Sequence, residues 1–450
     1  MNNNQSPQIQ AILSAPILGM LIKFALPNLV GVLSFTVIIL MDAGFVAQLG
    51  TGALASLAIV FPFQSLMQMM AAGAIGGGIA SSVSRALGSG NKQQAEAAAW
   101  HGLLIVFVFS TVYSIVLGVF CRPLFSLLGA NEEIINDSVL YSRILFGGAI
   151  SAWLFFMLTS MFRGIGSIHL VSVVMIISSI LQITLSGALT LGWGNFPSMG
   201  ILGPPTATVI SQSAATIYML FIVMNGKRDI RLIPHKFNLG SVCDIMKVGG
   251  IGMVNSASTA IGMVIITGII GRYGTAALAG YGLGNRLEYI LIPIAFGVGG
   301  VLTPSVGANF GAKQYKRARS IAWHGWTIVF LITGSIGLIT ALSPGLWLDW
   351  FTTDKDAYVY GAKYLSIAGC FYGLYGGGQT LIFASQGTGN MIIPVSVSVT
   401  RLVFVVIASS IAVALSWDVS SIFIIVGLGL AIFGVGLAGN MFSPKWNPRS

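Results

Sequence analysis

Residues 29–50 read LVGVLSFTVIILMDAGFVAQLG, and this stretch decides what kind of molecule the chain is. Between Lys23 and Arg85 the only charged side chain is Asp42, so two long apolar runs flank one carboxylate. Asp42 stands eight residues before the Gly50-Thr51 break, roughly 12 Å inside the end of a helix at 1.5 Å per residue. A carboxylate at membrane depth costs about 2.5–3.5 kcal/mol on insertion scales unless it is neutralised, partnered or faces water. A carboxylate that faces a cavity and binds something meets that condition. An Asp hydrogen-bonded to neighbouring helices, or lying nearer the interface, is the structural alternative.

Composition sets the class. The chain has 450 residues, 55% apolar and only 8% charged, with a mean hydropathy of +0.88. Soluble domains carry about 25% charged residues. The apolar segments are long and continuous, without the alternating ~10-residue strands of outer-membrane barrels. An all-α polytopic membrane protein is expected. The net charge of +10 falls in short joins where topology explains it, so no nucleic-acid partner is implied. The opening MNNNQSPQIQ lacks the pattern of a cleaved signal. Cys121, Cys243 and Cys370 are isolated and suggest neither disulfides nor a metal site.

Apolar windows predict twelve spans, near 17–48, 53–84, 97–121, 138–162, 168–193, 199–225, 244–271, 276–306, 320–344, 357–385, 391–416 and 419–442. Breakers at Gly50-Thr51-Gly52, Gly88-Ser89-Gly90-Asn91, Pro204-Pro205 and Ser343-Pro344-Gly345 support the joins. Pro204-Pro205 could instead lie inside the sixth span, and Pro27, Pro62, Pro293 and Pro394 are candidate kinks. Joins after even spans hold Arg85, Lys92, Arg163, Lys227, Arg228, Arg231, Lys236, Lys247, Lys313, Lys316, Arg317, Arg319, Lys445 and Arg449. Joins after odd spans hold Arg122, Arg272 and Lys355 among six acids. The positive-inside rule then puts both termini in the cytoplasm of a cell-membrane protein, with Asp42 in the outer half of the bilayer.

The chain repeats itself. Gly50-Thr51-Gly52-Ala53-Leu54-Ala55 recurs as Gly274-Thr275-Ala276-Ala277-Leu278-Ala279, at an offset of 224. Ala99-Trp100-His101-Gly102 recurs as Ala322-Trp323-His324-Gly325, and Arg163-Gly164-Ile165-Gly166-Ser167 is echoed by Gln386-Gly387-Thr388-Gly389-Asn390, both at 223. Two six-span lobes are expected, 1–225 and 244–450, joined by a cytoplasmic linker at 226–243. An even number of spans per half makes the repeats parallel, an arrangement that places substrate between halves and rocks to give alternating access.

The acids are not duplicated: Asp42 falls on Ile266, and Glu288 falls back on Gln64. Glu288 and Arg286, two apart near the outer end of span eight, point away from each other on a helix. Glu288 is balanced between function and structural bonding, and for Arg286 structure or gating is the leading reading. Arg401 and Arg143 are candidate counter-ions for Glu288 or contacts for an anionic group, and Asn285 and Gln64 belong with this secondary cavity or gate. Gly76-Gly77-Gly78 and Gly376-Gly377-Gly378 lack the strand–turn–helix setting of a phosphate loop and read as close helix packing. Met67, Met69 and Met70 with Phe61 and Phe63 could line an adaptable pocket, with ordinary packing the simpler reading. His101 and His324 read as interfacial structure. No nucleophile–base or metal-ligand constellation is apparent, so no enzyme activity is expected.

The motifs MDAGFVAQLG with GTGALA (41–55), FRGIGS (162–167) and the tract 273–318 resemble the multidrug and toxic compound extrusion (MATE) family, and Gly282 to Ala318 is similar to its DinF branch. The resemblance covers nearly the whole chain. It implies two six-helix repeats in a V, and a cofactor-free, monomeric antiporter exporting amphipathic, often cationic, small molecules from the bilayer for H⁺ or Na⁺. It also implies that Asp42 is the amino-lobe coupling residue. The N-x-x-x-D of span five in that branch falls here on Gln182 and Ser186, which keeps polar ligands and loses one carboxylate. No acid stands in VNSASTA of span seven or near Gly376. H⁺ coupling through Asp42 is therefore expected over Na⁺ coupling. A lipid-linked precursor flippase of the same superfamily, using Arg286 and Arg401 in a cationic cavity, is the alternative. A receptor or scaffold is a third reading, disfavoured by the duplication and by Asp42.

Overall fold

The computed structural model describes residues 7–126, 131–225 and 230–446, and among them every regular element is helical. Lys227, Arg228 and Arg449 of the basic count lie outside the described residues. After a short helix, Pro7–Ser14, the first half comprises α1 (Ile17–Ala47), α2 (Thr51–Gly88), α3 (Lys92–Val119), α4 (Glu132–Gly147 with Ala149–Gly164), α5 (Ile168–Leu191) and α6 (Gly203–Met224). The second half comprises α7 (Leu239–Gly271), α8 (Thr275–Gly311), α9 (Tyr315–Leu342), α10 (Lys355–Ala368 with Tyr372–Thr388), α11 (Ile392–Ala414) and α12 (Val419–Asn440).

Ten of these are each long and apolar enough to cross a bilayer, and α4, bent by 45° at Gly148, makes an eleventh. The twelfth span, α10, is interrupted by a 3-10 turn at Gly369–Phe371, so neither piece crosses alone. Pro204 and Pro205 sit in the first turn of α6, where the missing N–H costs nothing; they open the sixth span and do not separate it from the fifth. Pro394 likewise falls in the first turn of α11, whereas Pro27, Pro62 and Pro293 are interior to helices.

The repeat is visible in the backbone. Gly50 and Gly274, which open the two matching motifs, hold φ of 111° and 108°, a region closed to residues with a Cβ. Gly166 and Gly389, at matching places in the third pair, hold φ of 85° and 80°. The sequence matches therefore mark joins whose geometry demands glycine.

In the first half α5 packs on α1 and α6; in the second, α10 packs on α8 and α9, and α11 on α12. The halves meet where α8 crosses α1 and α2, and where α7 lies along α2. The Gly76-Gly77-Gly78 run belongs to this seam, as close packing predicts: a Cβ on Gly78 would lie 2.6 Å from the Ile245 carbonyl oxygen. Just before the run, α2 passes through a π-helical segment, Met69–Ile75.

On the side where the amino-terminal helix lies, the seam is also polar. Arg85, in the last turn of α2, donates to both carboxylate oxygens of Asp244 on α7 at 2.9 and 2.7 Å, and Ser82 donates to Asp244 Oδ2 at 2.7 Å. Ser81 donates to the Gln386 carbonyl, and the Gln386 amide donates to the Gly73 carbonyl at 2.7 Å. Arg163, counted with the loop charges, instead ends α4 pointing inward. Its Nε donates to Asn28 Oδ1 at 3.3 Å, and Asn28 in turn donates across the seam to the Gly297 carbonyl at 2.7 Å.

The segment before α7 is docked on α3. Fully buried His101 accepts the backbone N–H of Asn238 at 2.9 Å through Nε2, and Glu96 accepts that of Arg231 at 3.1 Å. His101 is thus structural. His324, its repeat partner, is exposed against the Ser320 carbonyl.

Candidate functional site

Each half encloses a cavity, and the two are lined from equivalent places in the repeat. The first, of about 420 Å³, is lined by Phe35, Ile38, Asp42, Leu57, Phe61, Gln64 and Gln68 among others. The second, of about 800 Å³, is lined by Thr259, Gly262, Ile266, Tyr281, Asn285, Glu288 and Ile292 among others. Each residue of the second set lies 224 positions after its counterpart in the first. The fold is duplicated while the chemistry is not.

In the amino half, Asp42 projects from α1 five residues before the helix ends at Ala47, about 8 Å from that end, closer than the 12 Å counted to Gly50 because the helix stops earlier. It is 7% exposed. Ser186 on α5 donates its hydroxyl to Asp42 Oδ1 at 2.5 Å. Gln182, one turn earlier on α5, lines the same cavity and donates to Thr208 Oγ1 on α6 at 2.8 Å. A buried carboxylate requires such donors, because an unpaired one would forfeit its hydration without return. Phe45 and Trp193 meet edge-to-face at 5.6 Å just beyond Ser186. Gly187 makes room there, since a Cβ would lie 2.5 Å from the indole.

The polar wall is completed by Thr208, Gln212 and Tyr141, which the sequence reading missed. A signal was present: Thr208, Ser211 and Gln212 fall three and four apart inside an apolar span, which puts them on one helix face.

In the carboxy half, Glu288 is buried and accepts the Tyr364 hydroxyl from α10. Tyr364 stands edge-on to Tyr281 at 5.1 Å and to Phe423 at 5.3 Å. Glu288 lies thirteen residues into α8, about 20 Å from its start. Asn285 and Arg401 share the cavity. Arg286 does not: it is exposed on the other face of α8. Arg143 is exposed on α4 of the other half and is no counter-ion for Glu288. Gln64 belongs to the cavity of Asp42, as its place in the repeat requires. Arg401 holds its guanidinium carbon 5.1 Å from the Tyr375 ring centroid and 5.6 Å from that of Phe433. Among the described residues no group of three or more His, Cys, Asp or Glu is placed to hold a metal ion.

The MatE family model matches the chain twice, over residues 27–186 and 252–411, one match per half. The FAD transporter of Shewanella oneidensis is 28% identical over 383 residues, covering 83% of this chain and 82% of that one. The multidrug export protein MepA of Staphylococcus aureus is 22% identical, covering 76% of this chain and 75% of its own. Among solved structures, a MATE protein in its bent conformation superposes with a TM-score of 0.89 at 20% identity, and a MOP superfamily transporter from Pyrococcus furiosus with 0.87 at 21%; each match covers 97% of both chains. These show the V-shaped, twelve-helix fold of two repeats. Multidrug proteins among the relatives do not favour a lipid-linked precursor flippase. Two family matches, one on each half and each carrying its own cavity, lead to one conclusion: this chain belongs to the MatE family of multi-pass membrane transporters of small molecules.

Proposed function

We propose that the protein is a secondary active antiporter that exports amphipathic, often cationic, compounds in exchange for H⁺, coupled through Asp42. The observation that carries this reading is one buried carboxylate in a cavity, bonded to Ser186 and accompanied by the neutral polar Gln182. A single carboxylate takes up a single proton, and neutral side chains supply little of the negative charge that a dedicated Na⁺ site needs. Protonation removes the buried charge, so the proton has different affinities for two arrangements of the halves. That difference is what lets a ligand shift a two-state equilibrium. Lobes 1–225 and 244–450 rock about the linker 226–243 with both termini cytoplasmic. A monomer suffices, because each chain contains both cavities.

A flavin-nucleotide cargo, the class named in the Shewanella relative, is the second reading; the cation Arg401 in the carboxy-half cavity favours it. The test is efflux of a fluorescent organic cation from proteoliposomes under imposed ΔpH or ΔNa⁺, for wild type and Asp42→Asn. Transport driven by ΔpH and lost in the variant, with an unchanged elution profile and melting temperature, is the expected result. Transport driven by Na⁺ alone, or uphill efflux retained by Asp42→Asn, overturns the coupling assignment.

A further inference from the structure

We propose that the carboxy-half cavity is a recognition site for aromatic anions, with Arg401 contacting the anionic group and the rings of Tyr375 and Phe433 framing it. The inference rests on the carrier reading above but not on how transport is driven.

The comparison of the two cavities carries it. At the position of Asp42 the carboxy half has Ile266, so the carboxylate of that wall is absent. At the position of Arg401 the amino half has Ser178, a buried hydroxyl that donates to the Ser211 carbonyl at 3.4 Å. The carboxy-half cavity thus carries a cation at a place where the amino half has a small neutral group outside its own cavity lining. Arg401 stands within a long apolar helix, where an arginine costs several kcal/mol on insertion scales. Among the described residues no carboxylate lies within 4 Å of this guanidinium, and Glu288 acts on it through space without a direct ion pair. Glu288, the acid of the same cavity, is bonded to Tyr364 instead.

Arg401 is held by ring faces, at 5.1 Å from Tyr375 and 5.6 Å from Phe433. Such contacts fix a guanidinium without occupying all of its five in-plane N–H donors. Those donors match a phosphate or carboxylate in a bidentate manner. Aromatic side chains beside the cation favour a planar ring on the ligand, and Glu288 and Asn285 can meet N–H and C=O groups on a heterocycle. The chemistry selected is a planar heterocycle carrying phosphate or carboxylate.

Flavin mononucleotide and riboflavin test this, because they share one ring system and differ by a phosphate. Binding is read at equilibrium by flavin fluorescence anisotropy on the purified full-length protein in detergent, with no gradient. A charge-assisted contact predicts that wild type binds the mononucleotide on the order of 10–100-fold more tightly than riboflavin. Arg401→Gln should bring the two ligands toward equal affinity by weakening mononucleotide binding far more than riboflavin binding. Arg286→Gln, outside the cavity, should preserve the preference. If Arg401→Gln does not fold, Arg401→Lys retains a charge without the bidentate fork and should keep only part of the preference. Equal affinities in wild type, an undiminished preference in Arg401→Gln or Arg401→Lys, or no saturable mononucleotide binding up to millimolar concentration overturns the proposal. The carrier reading fails separately, by the efflux assay in which Asp42 is the variant.

Discussion

Replacing Asp244 with Asn tests whether the polar seam holds the halves together on the side of the amino-terminal helix. Arg85 gives Asp244 two charge-assisted bonds at 2.9 and 2.7 Å, and Ser82 gives a third at 2.7 Å. Bonds to charged groups are worth about 1.5–3 kcal/mol each when shielded from water. The Arg85 side chain is 17% exposed but that of Asp244 is 42% exposed, so solvent screening reduces the cluster to about 1–2 kcal/mol in total. If these bonds break when the halves part, Asp244→Asn raises the population of the parted state about 5–30-fold. Ser84 is an internal reporter: it is fully buried, and a Cβ on Gly307 of α8 would collide with its hydroxyl. With exposed Cys243 and Cys370 replaced by serine, Ser84→Cys should be alkylated by a maleimide only when the seam opens. The expected result is a labelling rate 5–30-fold higher in Asp244→Asn, and one restored toward wild type by the exchange Arg85→Asp with Asp244→Arg. An unchanged rate would refute the latch and assign the closure to the Ser81–Gln386 and Gln386–Gly73 bonds and to helix packing.

Three further outcomes follow from the geometry. Gly274→Ala forces a Cβ into a φ of 108° and should cost about 1–3 kcal/mol, read as a lowered melting temperature in detergent; Gly282→Ala, with open space around it, should cost less than half as much. Ser186→Asp would set a second carboxylate beside Asp42 and should make transport respond to Na⁺; a response to ΔpH alone would show that the acid count does not choose the ion. At the start of α12, the Ser420 hydroxyl and then its N–H, at 3.1 Å from Oδ2, hold the Asp418 carboxyl down at about 2. Since the unfolded value is near 3.9, this stabilisation is present above about pH 4 and is lost as pH falls through 2. The melting-temperature gap between wild type and Asp418→Asn should therefore narrow across that window, and a gap independent of pH would refute it.

The twelve spans, the duplication and the place of Asp42 in a cavity were legible because each rests on a strong local signal: an apolar run, a repeated glycine join, a lone acid. What the sequence concealed was direction. Arg163 sits at the end of a span just as loop cations do, and only the packing of α4 against α1 shows that it turns inward to Asn28. Arg286 and Glu288 are two residues apart, and which of them faces the cavity depends on the rotation of α8. The break in α10 was hidden because Gly369, Cys370 and Phe371 continue the apolar composition through the turn. The partners Thr208 and Gln212 came from a third helix, where only their shared face hinted at a role.

The paired cavities have a consequence for how such a carrier can be altered. Equivalent positions rest on equivalent backbone, yet each is filled by its own side chain: Asp42 faces Ile266 across the duplication, and Gln64 faces Glu288. A substitution in one half therefore has no obligatory echo in the other. The specificity of the carboxy half can drift by point mutation while the acid of the amino half stays untouched. Duplicating the scaffold gave two cavities of different chemistry on one backbone plan; on the proposals made above, the residue that selects cargo and the residue that couples transport lie in different halves and can be changed independently.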